Sequence, residues 1–301
     1  MEAGAHAREV AGLGGALSRL APRLGRSPHN HKDFRMRIRA YWHLAGILAA
    51  LISLPAQAFD HAYRDYGGLL DAHVQLHDRQ TRGTVDYAAL KKDQAKLAAV
   101  LDTWSAVEPA AFEGWSRDQQ MAFLINAYNG FTLSLILTAY PDLTSIRDLG
   151  SLLRSPWKRS FFSLLGAQRS LDWLEHDTLR AHYPDPRIHF AVNCASIGCP
   201  ALQPRPFAAD GLDAQLDAAT RQFLQDRRRN HFDAQTGTLY VTPLLRWYRE
   251  DFKVNGQADR SAWLAQHAEW LADTAADRKR IRQQDFELEF TDYNWNLNDA
   301  E

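Results

Sequence analysis

Met121-Ala-Phe-Leu-Ile-Asn-Ala-Tyr-Asn-Gly-Phe-Thr-Leu-Ser-Leu-Ile-Leu137 is the stretch that decides the fold. Its apolar residues cover nearly every face of a helix, not one stripe, so it belongs at the centre of a core. Ser116 offers an N-cap, and Gln119 three residues on completes a capping box. Pro141 stops the element. The pattern predicts a buried helix over 116–140. Asn126 and Asn129 interrupt it, three apart and so on one face. A buried amide without partners costs roughly 1–3 kcal/mol, so each needs a specific one. Either the two tie the helix to a neighbouring loop backbone, or they orient a catalytic group.

Working outward toward the N-terminus, 104–114 is a connector with Pro109, 88–101 a helix, 83–87 a short extended piece, and 59–78 a helix weakened by Gly67-Gly68. Toward the C-terminus, 157–170 is a hairpin turning near Gly166. Ser170 caps a helix over 171–181. The apolar run from Arg187 to Cys194 reads as a strand. An amphipathic helix over 210–226, a hairpin over 231–242, helices over 244–252 and 261–275, and a strand over 286–290 complete the order. Helices and short strands mix without a βαβ rhythm. The expected architecture is α+β: a mostly helical single domain with a few short strands around a buried central helix.

That domain is expected to span 59–301 of the 301 residues. Met36-Arg-Ile-Arg39 is basic, Ala40 to Leu54 is apolar, and Pro55-Ala-Gln-Ala58 has the small residues of a cleavage site. Basic, then apolar, then small is the order of a signal peptide over 36–58, with cleavage after Ala58. Fifteen apolar residues fall short of the ~20 of a spanning helix. No integral span after cleavage and a periplasmic or otherwise exported location are therefore expected, with a role as an envelope component. Residues 1–35 have no apolar period and read as an upstream extension, with Met36 the expected start. Of 35 basic and 36 acidic residues, eight and three precede Phe59, which leaves the remainder near −6. That balance argues against a nucleic-acid partner.

Chemistry concentrates in Arg187-Ile-His-Phe-Ala-Val-Asn-Cys-Ala-Ser-Ile-Gly-Cys-Pro200, which holds both cysteines. Cys194 and Cys199, with Gly198 in the turn between them, suit a disulfide in an oxidising compartment. Alternatively Cys194 is a nucleophile for amide or ester bonds, which needs a base. In a strand, His189 lies roughly 16 Å from Cys194 and faces the other way. His176, beside Glu175 on the preceding helix, is the better candidate base, with Asn126 or Asn129 to orient it. His189 is then a buried histidine bonded to a carboxylate, with Glu175 and Asp172 as candidate acceptors, or to a backbone carbonyl; alternatively it is a polar residue lining a cleft. His176, His189, Cys194 and Cys199 form a third, metal-binding set, but without Cys-x-x-Cys or His-x-x-x-His spacing. No phosphate loop, G-x-S-x-G elbow or dinucleotide fingerprint is present, so no cofactor is implied. Nine tryptophans and ten tyrosines suit a stacking surface, or core and rim.

Five blocks coincide with one family: AFLINAYNGFTLSLIL, SLDWLEHDTLR, DPRIHFAVNCASIGCPAL, LLRWYREDF and YNWNLN. In this order they resemble the domain of unknown function 547 family over roughly 85–298. The resemblance implies a single domain of that type, often exported in bacteria. It carries over no activity and no catalytic residue. Two functions follow as expectations: a cysteine-dependent hydrolase or acyl-transferase, or a non-catalytic binding module with a structural Cys194–Cys199 bridge.

Overall fold

The computed structural model describes residues 58–151 and 154–300. The expected upstream extension and all of the expected signal peptide but Ala58 lie outside the described residues. In chain order come α1 (Arg64–His73), β1 (Val74–His77), β2 (Arg82–Val85), α2 (Tyr87–Lys92), α3 (Gln94–Ser105), α4 (Pro109–Glu113) and α5 (Arg117–Leu137). A hairpin of β3 (Phe162–Leu164) and β4 (Ala167–Arg169) follows, then a π-helix over Trp173–Arg180 and a 3-10 turn over Pro186–Phe190. The remainder holds α6 (Leu212–Leu224), β5 (His231–Asp233), β6 (Thr238–Val241), α7 (Leu244–Trp247), β7 (Lys253–Val254), β8 (Gln257–Ala258), α8 (Arg260–Gln266), α9 (Ala268–Leu271), α10 (Ala275–Arg282) and β9 (Glu287–Phe290). The sheets are small, so the domain is mostly helical α+β, as the sequence pattern predicts.

Helix α5 is buried from Met121 to Leu133 and again over Leu135–Leu137. Both halves of its capping box form: Gln119 N–H donates to Ser116 Oγ at 3.2 Å, and Ser116 N–H donates to Gln119 Oε1 at 2.9 Å. Helix α3 packs close across it. A Cβ at Gly130 would stand 2.9 Å from a ring carbon of Trp104, so only glycine admits that approach. Among the described residues α5 is the one helix long and apolar enough to cross a membrane, but 89% of its apolar window is buried inside the fold. It is therefore the core of the domain and not a span.

Around α5 lies the larger hydrophobic cluster, which includes Leu97, Leu101, Trp104, Phe123, Leu174 and Ile188. A second cluster joins Phe223, Val241, Phe252, Trp263 and Leu264. The three-stranded sheet β5-β6-β9 flanks this second core, with β9 parallel to β6 and Leu239 opposite Leu288. Segment 186–192 is the seam between the two. Ile188 and Ala191 pack into the first, whereas Phe190 packs into the second.

The strand expected over Arg187–Cys194 does not form. Asp185 accepts from Arg187 N–H at 2.9 Å, and Pro186 sits in the first turn, so an Asp-Pro cap starts a 3-10 turn where the apolar run suggested extension. Other elements are shorter or more broken than predicted, the helix expected over 261–275 among them, which divides into α8 and α9. Helix α7 stops at Trp247 instead of reaching Phe252, and α1 yields to β1 at Val74, which pairs with Val85 in a hairpin.

Candidate functional site

The site is built from the floor upward. Asn126 and Asn129 each hold a loop with both ends of the amide. Asn126 Nδ2 donates to Phe207 O at 2.7 Å and its Oδ1 accepts from Phe207 N–H at 3.0 Å. Asn129 Nδ2 donates to Ala191 O at 3.0 Å and its Oδ1 accepts from Asn193 N–H at 2.8 Å. Of the two expectations for these amides, the loop-tying one holds. Asn193 extends the chain of bonds, donating to Pro200 O and accepting from Ala195 N–H.

This clamps the loop that carries the cysteines, and Cys194 and Cys199 are joined in a disulfide across 6.1 Å between Cα atoms. The tail from Tyr293 to Asn298 lies along the same loop. Ile197 N–H donates to Asn296 O and Gly198 N–H to Asn294 O, both at 2.8 Å. A Cβ at Gly198 would meet the Tyr293 ring at 2.8 Å, so glycine is what lets the tail lie so close. Tyr293 Oη stands 3.2 Å from each sulfur and from Ser196 Oγ.

Above this floor, at the seam of the two cores, is a cavity of about 220 Å³. Its aromatic lining is Tyr128, Trp157, Trp247, Tyr248, Tyr293 and Trp295; its titratable lining is Asp172, Glu175, His176 and His189. The Cys194–Cys199 bridge forms part of the wall. Trp247 and Trp295 stack at 5.8 Å, and Tyr293 lies against both. The Arg147 guanidinium covers Trp295 at 5.4 Å.

Two histidines enter through one ion pair. His189 Nε2 is 2.7 Å from Asp251 Oδ2, and its ring stacks on Tyr248 at 4.0 Å. Arg180 donates to both Asp251 oxygens, and its Nη1 donates to His176 Nδ1 at 2.9 Å. His176 Nε2 faces Asp172 at 3.8 Å. Burial opposes ionisation of Asp251, but the bonds from His189 and Arg180 outweigh it and hold the carboxyl well below the usual carboxylate range. His189 is 2% exposed, and its Nδ1 has no hydrogen-bond partner among the described residues.

Glu175 is 6% exposed and is met by phenols. Burial first, and the charge of Glu175 next, raise the Tyr128 and Tyr248 hydroxyls far above the ordinary tyrosine range, so both stay protonated donors beside it. Among the described residues no Lys or Arg pairs with Glu175 within 4 Å. No three of His, Cys, Asp and Glu among the described residues converge as metal ligands. The bridge also takes both sulfurs out of the His/Cys set considered from sequence.

Of the six residues singled out in the sequence, four line the cavity: Glu175, His176, His189 and Cys194. Asn126 and Asn129 lie beneath it and support it. Three details differ from expectation. The partner of His189 is Asp251, not Glu175 or Asp172, because the 3-10 turn aims the ring across the seam. His176 is fixed by Arg180 and not by an asparagine. Cys194 Sγ touches the hydroxyls of Ser196 and Tyr293, with no histidine in hydrogen-bonding reach among the described residues. Asp251, Arg180 and Tyr248 went unnoticed in the sequence. Tyr248 and Asp251 lie in LLRWYREDF and Arg180 ends SLDWLEHDTLR, and the charged and aromatic mixture in each reads equally well as an amphipathic helix.

Residues 112–224 match a family model described as "Protein of unknown function, DUF547". Over that span the chain is similar to this family. No curated protein and no solved structure matches the chain. The matched span is narrower than the 85–298 implied by the five blocks. It contains Glu175, His176, His189 and Cys194, whereas Trp247, Tyr248, Asp251, Tyr293 and Trp295 lie beyond it. The DUF547 segment thus supplies the floor and the titratable face of the cavity, and the following residues supply most of the aromatic face.

Proposed function

We propose that this domain is a ligand-binding module of the cell envelope, in which the Cys194–Cys199 bridge fixes a loop and is not a source of thiolate. One observation carries the reading: the bridged cysteines and six aromatic side chains line the same cavity. A nucleophile needs a free thiol with a base within hydrogen-bonding reach, and the Cys194 sulfur has neither. A binding module needs no convergent titratable groups, yet four line the cavity. Two of these, His189 and His176, are held by Asp251 and Arg180, as positioning of a wall requires. Export accords with the bridge, which persists in oxidising compartments, and with the basic–apolar–small order over 36–58.

The test is thiol alkylation followed by mass spectrometry on protein taken from its native compartment, with sequencing of its N-terminus. Alkylation only after reduction and a start at Phe59 are the expected results. The second reading, a cysteine-dependent hydrolase or acyl-transferase acting on amide or ester bonds, retains one observation in its favour: Cys194 and His189 line the same cavity. Alkylation of Cys194 without reductant, with ester or amide hydrolysis that Cys194→Ser abolishes, would replace the first reading with the second.

A further inference from the structure

The charge inside the cavity is unbalanced. Two carboxylates, Asp172 and Glu175, line it, and no Lys or Arg is among its lining residues. Arg180, the nearby cation, is already engaged with both oxygens of Asp251. Asp172 has only a histidine, at 3.8 Å. Glu175 is nearly fully buried, yet it has no basic partner among the described residues. A buried charge is costly unless paired. The Tyr128 and Tyr248 phenols beside it are neutral, and the Arg180 guanidinium acts on it only from beyond ion-pair distance. The acidic lining therefore favours a cationic ligand.

The aromatic lining narrows the kind of cation. A bare ammonium or a metal ion needs several oxygen ligands to replace its water. The lining brings carboxylate and hydroxyl oxygens, but no three of His, Cys, Asp and Glu among the described residues converge as metal ligands, and six ring systems surround the space. Rings attract cations through their quadrupole, most strongly when the cation is desolvated, and groups of aromatic side chains take methylated ammonium ions for that reason. The volume of about 220 Å³ lies below the ~300–1,000 Å³ of drug-sized sites, which suits a head group and not a whole large ligand.

We infer that the cavity takes a small methylated ammonium head group, with Glu175 as its counter-charge and the remaining aromatic lining as its apolar surround, the Tyr248 and Trp295 rings being already covered by the Arg180 and Arg147 guanidinium groups. This rests on the cavity being a ligand site. Asp172 adds a second acidic group to the lining, and the disulfide forms part of the wall. A neutral sugar would leave Glu175 without a counter-charge, and an anion would meet two like charges.

The experiment titrates the full chain, bridge intact, by calorimetry and tryptophan fluorescence with choline and with its uncharged isostere 3,3-dimethylbutan-1-ol. Choline is expected to bind at least about tenfold more tightly than the isostere. Glu175→Gln is expected to remove that preference while leaving isostere binding unchanged. If Glu175→Gln does not fold by circular dichroism, Asp172→Asn and the loss of choline affinity with added salt give the same reading. Equal binding of the two probes overturns the cation inference while the cavity stands as a ligand site. Binding of neither probe overturns both.

Discussion

The buried amides of α5 and the buried polar groups of the cavity make a direct contrast. Asn126 and Asn129 are almost wholly buried, and each forms two bonds to loop backbone. Glu175 and His189 are about as deeply buried, but among the described residues Glu175 has no basic partner and His189 Nδ1 has no partner. Complete satisfaction rigidifies a fold. Incomplete satisfaction is tolerated where something else is served, and groups left in that state tend to gather at working sites. The α5 junction is therefore scaffold, and the cavity is where the domain meets another molecule.

The largest effect should come from breaking the satisfied side. Asn129→Ala strands the carbonyl of Ala191 and the N–H of Asn193, at about 1–3 kcal/mol for each buried group. Urea denaturation should show a loss of about 2–4 kcal/mol; a loss under 0.5 kcal/mol (an order-of-magnitude bound for a surface site) would erase the contrast. Next is the bridge. A loop this short is worth about 2 kcal/mol by the chain-entropy relation, so reduction or Cys194→Ser/Cys199→Ser should lower urea stability by about that much.

Asp251 comes third and gives a pH signature. Its folded carboxyl is held below the ordinary value, so its contribution is full above about pH 3.9. That contribution is lost as pH falls from there toward the depressed folded value. Asp251→Asn should flatten this acid limb by on the order of 1 kcal/mol, and parallel melts from pH 5 to pH 2 would reveal an unchanged slope if the pairing is idle. Smallest is Glu175→Gln. Removing a buried charge that lacks a cation should leave stability unchanged or raise it by up to about 1 kcal/mol. A drop of several degrees in Tm would instead mark Glu175 as part of the scaffold.

The core was legible in the sequence because its signals are local. Apolar residues all round a helix, a Ser116–Gln119 box and a terminating proline each act within a few residues, and α5 follows them. The demand that Asn126 and Asn129 find partners was legible too, since it rests on burial alone. The identity of those partners was not, because Phe207 and Ala191 lie 81 and 62 residues away. The one strong misreading, a strand over Arg187–Cys194, came from weighing a short apolar run above the Asp185-Pro186 cap that precedes it. That error separated His189 from Cys194 on paper, whereas the turn brings both to one cavity. The ion pair of Arg180 with Asp251 joins positions 71 apart on elements whose packing no local pattern encodes.

The tail from Tyr293 to Asn298 also has a kinetic consequence. Its bonds reach Ala195, Ile197, Gly198, Thr144 and Val85, and Tyr87 Oη donates to Asn298 Oδ1 across 211 positions. Contacts of such separation are formed late, after their loop-closure entropy has been met by earlier structure. The α5 core can therefore assemble in a chain whose aromatic wall is still absent. A molecule that binds in the cavity acts on contacts made after the rate-limiting step, so it should slow unfolding and leave the folding rate nearly untouched. Occupancy of the cavity is thereby a timer on the finished state.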